Sequence, residues 1–368
     1  MIPHLLHVFP NFGIGGMPLR TVRIMNYFGT SCRHMVISLD GITAAAEQIG
    51  KNVSVEILPM LVDKRQPIGN LLRFRRFLAE VKPNLLATYN WGAIEWAGVH
   101  FVRPLCRHIH FEAGFGREEA RRQFRRRVFA RRIVLAKSES IVVPSRTLER
   151  IALDIWGIPE DRVRYIPDGI DIVRFTKRRY DVERPREQIV VGTVAPLRPE
   201  KNVGRLIDAF SVLASDPRFR LVIAGDGPER ATLEGLVKRQ GLSHRINFLG
   251  HVPDPERILP TFDIFGVSSE TEQIPNAVLE AMAVGLPIAS RDVGDIRAMV
   301  APSNRPYIVV REGIEALVLA MRQLAYDAPL RYRIGMDNRL QVERNFGQEQ
   351  MFREYEKLLL GSLEPIVT

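Results

Sequence analysis

The stretch Ile264-Phe-Gly-Val-Ser-Ser-Glu-Thr-Glu-Gln-Ile-Pro-Asn-Ala-Val-Leu-Glu-Ala-Met-Ala-Val-Gly-Leu-Pro-Ile-Ala-Ser290 holds a strand, a loop, a short helix and a second strand. Ile264–Ser268 is a short apolar run rich in β-formers. Pro275 suits the first helical position, where its missing N–H costs nothing. Gly285 and Pro287 read as the end of that helix, and Pro287–Ser290 as the next strand. The free N–H groups and positive dipole end of such a helix face the carboxyl edge of the sheet, where an anion binds.

The same alternation runs outward in both directions. Toward the N-terminus, strands are expected at His4–Phe9, His34–Leu39, Val53–Leu58, Leu85–Tyr89, His108–Phe111 and Ile141–Val143. Helical patterns at Leu19–Phe28, Leu71–Val81 and Gln123–Lys137 lie between them. A second series comprises strands Ile189–Val194, Leu221–Ala224, Ile246–Leu249 and Tyr307–Val310, with helices Val203–Leu213 and Glu229–Gln240. The chain finishes in helices near Ile314–Tyr326, Leu330–Asn345 and Glu349–Leu360. Alternation of this kind predicts parallel sheets with helices on both faces. With 368 residues, too many for one ordinary core, two domains follow. Residues 177–187 (KRRYDVERPRE) are charged and lack periodicity, which marks an interdomain linker. The expected fold is α/β: two doubly wound Rossmann-like domains facing across a cleft.

Composition narrows the function. Two cysteines, Cys32 and Cys106, make neither a disulfide framework nor a zinc cluster, and no Asp-X-Asp pair suggests a nucleotide-bound metal. The N-terminus lacks a signal peptide's features, and no apolar run approaches the ~20 residues that span a bilayer. A cytoplasmic location follows. The net charge of +10 favours anionic partners. Much of it lies in Arg117–Arg132, with eight arginines. At about 100° per residue these fall nearly all round the helical wheel. The segment reads as a solvated, core-packed helix or as contact with an anionic membrane surface on the inner face. Nucleic acid is not expected, because no reading motif lies beside it.

Five groups of residues can carry chemistry. Glu272 and Glu280 flank the anion-binding helix start. A carboxylate on the loop and another one turn inside could hold hydroxyl groups on either side of a phosphate, which suits a sugar nucleotide. The loop Ala195-Pro-Leu-Arg-Pro-Glu-Lys-Asn202 follows a strand and brings Arg198 and Lys201 to the ligand-binding edge of a doubly wound sheet. Two flexible cations there suit a diphosphate and could stabilise its charge as it leaves. Gly225-Asp226-Gly227 allows a tight turn, which a structural turn and a nucleoside pocket explain equally. Near the N-terminus, Gly13-Ile-Gly15-Gly16 allows close backbone approach but lacks the dinucleotide-binding spacing. Strand alternation places His108 and His110 on one face, with Glu112 just beyond. A strand-end histidine can contact a sugar or tune a proton transfer, or it can be structural.

In this order along nearly the whole chain, Gly15-Gly16, Ile166-Pro-Asp-Gly-Ile-Asp171, the Arg/Lys loop, Ala-Gly-Asp-Gly-Pro-Glu229 and Glu272-X7-Glu280 resemble the retaining glycosyltransferases of family 4, which have the GT-B fold. The resemblance implies that Glu280 holds the donor ribose and Glu272 the transferred sugar. It implies diphosphate binding by Lys201 and Arg198, closure of Gly15 and Gly16 over the donor, and contact of His110 with the donor sugar. Gly225, Asp226, Gly227, Gln273, Ile274 and Asn276 complete the implied donor-binding set. The family is usually metal-independent, so no cofactor is expected beyond the nucleoside diphosphate sugar itself. It also returns its last helix to the N-terminal domain, which implies domains 1–176 with 347–368, and 188–346. Three departures stand out: Ala195-Pro196 where the family often has Gly-Arg, Gln273-Ile-Pro-Asn276 in place of a glycine-rich run, and His-Ile-His-Phe-Glu112 in the histidine region. These leave open which of His108, His110 and Glu112 faces the donor.

The expected reaction is transfer of a hexose-type sugar from a nucleoside diphosphate sugar to a glycan or lipid-linked acceptor, with retention. A nucleotide-sugar epimerase or a sugar phosphorylase of the same fold is the enzymatic rival. A non-catalytic glycan- or membrane-surface binding protein is the other.

Overall fold

The computed structural model describes residues 2–60, 62, 66–115, 119, 123–176, 187–310 and 313–361. The expected linker 177–187, except Glu187, and part of the arginine segment 117–132 lie outside them. The chain divides into two compact units, Met1–Pro167 with Met351–Thr368, and Asp168–Gln350.

In the first unit, seven strands form one parallel sheet. They are β1 (His4–Phe9), β2 (Arg33–Ser38), β3 (Ser54–Pro59), β4 (Leu85–Tyr89), β5 (Arg107–Phe111), β6 (Ser140–Val143) and β7 (Val163–Tyr165), in the order β3-β2-β1-β4-β5-β6-β7. β1, β2, β4, β5 and β6 are buried almost throughout, as a parallel sheet covered on both faces requires. Leu5 and Phe9 of β1 pack into one core cluster and Leu6 and Val8 into another. The first cluster takes the helix Gly16–Phe28 and the last helix, Gln348–Leu360, through Met351, Phe352, Tyr355 and Leu359. On that face His7, Tyr89 and His34 form a buried polar line. Tyr89 Oη lies 2.8 Å from His7 Nδ1, and His7 Nε2 lies 3.1 Å from His34 Nδ1.

The second unit holds β8 (Ile189–Val194), β9 (Phe219–Ala224), β10 (Ile246–Gly250), β11 (Ile264–Val267), β12 (Ile288–Arg291) and β13 (Ile308–Val309). All are parallel, in the order β10-β9-β8-β11-β12-β13. Between β11 and β12 comes the helix Asn276–Ala283. Pro275 is its N-cap, in an extended conformation, so Asn276 and not Pro275 is the first helical residue. Gly285, with φ +85°, ends it as expected. Behind that end, Asn338 donates to the Leu286 carbonyl at 2.9 Å and to Asn304 Oδ1 at 2.7 Å. Asn304 in turn donates to the Ile288 carbonyl and accepts from the Ile288 N–H, both at 2.8 Å. Both asparagines are fully buried, so these bonds satisfy backbone that would otherwise lack partners.

The units divide at Pro167/Asp168 and Gln350/Met351, whereas the sequence suggested 176 and 347. Ile170 explains the placement. Its N–H donates to the Phe346 carbonyl at 2.9 Å and its carbonyl accepts from Gln348 N–H at 3.0 Å. Ile170 and Phe175 also pack into the second unit's core. The short strand β7 and the helix Ile94–Val102 were absent from the sequence reading.

Candidate active site

In the second sheet the chain leaves β8 toward β9 on one side and returns as β11 on the other. Loops at such a reversal diverge and leave a crevice at the carboxyl edge. The loop after β8 carries Arg198 and Lys201, and the loop after β11 carries Glu272, so the expected cation loop and first carboxylate meet here. Lys201 Nζ lies 2.6 Å from Glu272 Oε1, and Ser269 Oγ donates to that same oxygen at 2.7 Å. The Glu272 side chain is 9% exposed and that of Lys201 21%, so the pair is largely shielded from water and its attraction is strengthened. Arg198 is exposed at the start of the turn Pro199–Lys201.

The helix Asn276–Ala283 starts directly after this loop. Its first intrahelical acceptor is the Pro275 carbonyl, which takes the N–H groups of Val278 and Leu279. The N–H groups of Asn276 and Ala277 therefore have no intrahelical partner, and they carry the positive end of the helix dipole. Asn276 Oδ1 is buried with no hydrogen-bond partner among the described residues. Ile274 packs into the core and anchors the loop. The Gln273 carbonyl accepts from Asp295 N–H at 3.0 Å. Glu280 lies one turn inside the helix, where its charge acts on Arg174.

Gly225 and Gly227 sit on the loop after β9. Their φ angles are +149° and +154°. A Cβ on Gly225 would lie 1.8 Å from the Ala195 carbonyl oxygen, and one on Gly227 would lie 2.6 Å from that of Leu197. Both glycines let this turn pack on the cation loop, which hydrogen-bonds it through Ala195 N–H to Ala224 O and Leu197 N–H to Asp226 O, each 2.9 Å. Asp226 pairs with Arg230 at 3.1 Å. Gly16 is the opposite case. It opens the helix Gly16–Phe28 after Gly15, and a Cβ there would meet nothing within 4 Å. Gly15 is extended, and its Cβ would approach only Pro18 Cδ, at 3.9 Å. Internal packing requires glycine at 225 and 227 but not at 15 and 16.

In the first unit, His108 and His110 do share a face of β5. Thr88 Oγ1 lies 2.9 Å from His108 Nε2 and 2.8 Å from His110 Nδ1. Burial, with His100 and His110 nearby, lowers the pKa of His108 well below 6.5. His110 is fully buried, and its Nε2 lies 3.8 Å from Glu112 Oε2. Glu112 also faces Arg131 Nη2 at 3.3 Å, and Arg131 Nη1 reaches Glu119 at 3.3 Å. Arg131 is enclosed by the rings of Trp91, Phe115 and Trp156, between 4.7 and 5.3 Å from its guanidinium. Arg127 pairs with Glu119 at 2.7 Å, and Arg132 donates to the Trp156 carbonyl at 3.0 Å. Of the described arginines of this segment, Arg131 is buried and Arg127 half-buried, while Arg125, Arg126 and Arg132 are exposed. Among the described residues no group of His, Cys, Asp or Glu gathers in numbers that could hold a metal ion. No helix among them is long and apolar enough to cross a membrane.

Sequence reasoning missed Glu270 and Ser269, although both lie beside Glu272. The Glu270 carboxylate accepts from Asn202 Nδ2 at 2.7 Å and Arg205 Nη2 at 2.5 Å, and faces Arg291 Nη1 at 3.5 Å. Burial raises its pKa, but those hydrogen bonds and the two arginine charges outweigh burial and hold it below the usual carboxylate range. Its partners lie too far away in sequence for spacing to reveal them.

A family model described as Glycosyltransferase Family 4 matches residues 14–174, and one described as Glycosyl transferases group 1 matches residues 175–341. N-acetyl-alpha-D-glucosaminyl L-malate synthase of Bacillus anthracis is 26% identical over 229 residues, covering 61% of this chain and 58% of that protein. The 2-deoxystreptamine glucosyltransferase of Streptomyces kanamyceticus is 30% identical over 162 residues, covering 41% and 42%. The chain thus spans about half the length of the curated relatives it matches. Anabaena HepE, solved in complex with UDP, superposes with a TM-score of 0.79 at 16% identity, covering 98% of this chain and all of that one. At that identity the likeness is one of fold.

Proposed function

The chain belongs to the glycosyltransferases of family 4 and group 1, and from that premise we propose that it moves a sugar from a nucleoside diphosphate sugar to a glycan or lipid-linked acceptor, retaining anomeric configuration. The role suits synthesis of cell-surface polysaccharide or glycolipid, by an enzyme of the cytoplasm. The observation that carries the proposal is the Lys201–Glu272 contact of 2.6 Å beside a helix start at the reversal of the second sheet. It joins one cation, one carboxylate and free backbone N–H groups, the set needed to hold a phosphate next to hydroxyl groups. UDP in the HepE structure supports a nucleoside diphosphate as the leaving group.

In this reading the diphosphate takes Lys201, Arg198 and the N–H groups of Asn276 and Ala277. Lys201 turns from Glu272 to phosphate, which frees the Glu272 carboxylate to accept from hydroxyls of the transferred sugar. Glu280 accepts from the ribose. Gln273 and Asn276 are contacts from the loop. The bond from the anomeric carbon to the phosphate oxygen breaks, and the acceptor oxygen bonds to that carbon on the same face. The acceptor proton passes to the departing phosphate, so no nucleophile of the protein is needed. Positive charge preset around the diphosphate stabilises it as it leaves.

The test is calorimetric titration with a panel of nucleoside diphosphates and their sugars, followed by product analysis with acceptors. Glu280→Ala should abolish donor binding, whereas Lys201→Ala should retain binding and lose turnover. Unchanged donor affinity in Glu280→Ala would refute the assignment. Free nucleotide released with an altered sugar and no acceptor would indicate an epimerase instead.

A further inference from the structure

Lys201 and Glu272 lie on different loops, and the pairing of β8 with β11 at Ile264 and Phe265 ends before either loop begins. Something else must set their separation. Glu270 is placed to do so. Its N–H donates to the Glu200 carbonyl at 2.8 Å, tying the two loops together one residue before Lys201. Its carboxylate takes Asn202 and Arg205 from the far side of Lys201, at 2.7 and 2.5 Å, and faces Arg291 at the end of β12 at 3.5 Å. Two further bonds close the arrangement. Arg205 Nη1 donates to the Ser268 carbonyl at 3.2 Å, and Ser268 Oγ donates to the Asn202 carbonyl at 2.8 Å. Asn202 itself holds a left-handed conformation, φ +44°, which an asparagine adopts at a cost that the surrounding bonds must offset.

Glu270 thus holds both flanks of Lys201, Glu200 through its N–H and Asn202 through its carboxylate, which also reaches Arg205 and the adjoining strand end at Arg291. We propose that Glu270 is a positioning residue for the transfer reaction: by clamping the ends of β8, β11 and β12 it fixes Lys201 Nζ against Glu272 and so sets where the cation waits for the diphosphate. The assignment of the diphosphate rests on the function proposed above; the clamp does not.

The experiment measures the reactivity of Lys201 in the whole protein. Purified protein is acylated briefly with an amine-reactive ester, and modification at Lys201 is quantified by peptide mass spectrometry against Lys238 in the same sample. Glu270→Gln should raise Lys201 modification about fivefold, the change expected when a partly shielded ion pair is lost. Glu272→Gln should do the same, and Glu270→Asp should restore most of the native protection. Turnover should follow Lys201 protection across the series. A general loss of stability would lower the melting temperature without exposing Lys201 relative to Lys238. Arg291→Gln removes only the longest contact and serves if Glu270→Gln does not fold. Equal Lys201 modification in wild type and folded Glu270→Gln would overturn the proposal. Altered modification with unchanged sugar transfer would uphold the clamp and count against the diphosphate role of Lys201.

Discussion

Acid should destabilise the first unit through His34. Burial, reinforced by the charge of His4, lowers the His34 imidazole from 6.5 to about 4. Its neighbour His7 is fully buried and is also lowered well below 6.5, by burial first and then by His34 and His4. An unfolded chain takes up a proton at His34 once pH falls below 6.5, whereas the folded chain refuses it until about 4. Over that interval the unfolded state binds more protons, so stability declines as pH falls and levels off below it. The difference between 6.5 and about 4 corresponds to a loss of ~3 kcal/mol. Set against a net stability of about 5–15 kcal/mol, that is a large change. Urea unfolding followed by circular dichroism, repeated across the interval, measures it. His34→Gln keeps a donor and an acceptor for His7 Nε2 but cannot titrate, so its stability should fall by ~3 kcal/mol less than the wild type's. Parallel decline of both proteins would refute the reasoning, as would imidazole NMR showing His34 titrating near 6.5 in the folded state.

Two comparisons test other parts of the structure. Gly225→Ala should lower the melting temperature sharply, because its Cβ would lie 1.8 Å from the Ala195 oxygen at φ +149°, whereas Gly16→Ala, with nothing within 4 Å, should leave it unchanged and lower turnover. Equal thermal losses in both would contradict the packing argument. If the exposed guanidiniums of the 117–132 segment contact an anionic membrane, Arg125→Glu with Arg126→Glu should weaken binding to phosphatidylserine vesicles about tenfold or more. Binding insensitive to both the lipid charge and these changes would remove that contact.

Much of the fold was legible because the chemistry that specifies it is local. Val203–Leu213 presents a clear apolar stripe and Ile189–Val194 a buried run, and both bounds are reproduced. β7 escaped notice because Val163-Arg-Tyr165 is only three residues long with an arginine at its centre. The helix Ile94–Val102 is apolar on nearly every side and so shows no stripe. At the site, sequence could put Lys201 and Glu272 on loops at one sheet edge. It could not reveal that they touch, because that depends on which strands become neighbours. Nor could it separate Gly16 from Gly225. Both are glycines between a strand and a helix, and only the atoms around each show which one the fold requires.

The Asn304–Asn338 pair has a mechanical consequence for the short helix Asn276–Ala283. Behind the helix, buried amides hold Leu286 and Ile288 with bonds that water cannot replace. In front of it, the Lys201–Glu272 contact joins side chains that a bound anion can part. Stiffness is therefore graded along a few residues, rigid at the rear and compliant at the mouth. An anion arriving at Asn276 would meet a helix held from behind, so rearrangement falls to the Lys201 and Glu272 side chains rather than to the backbone.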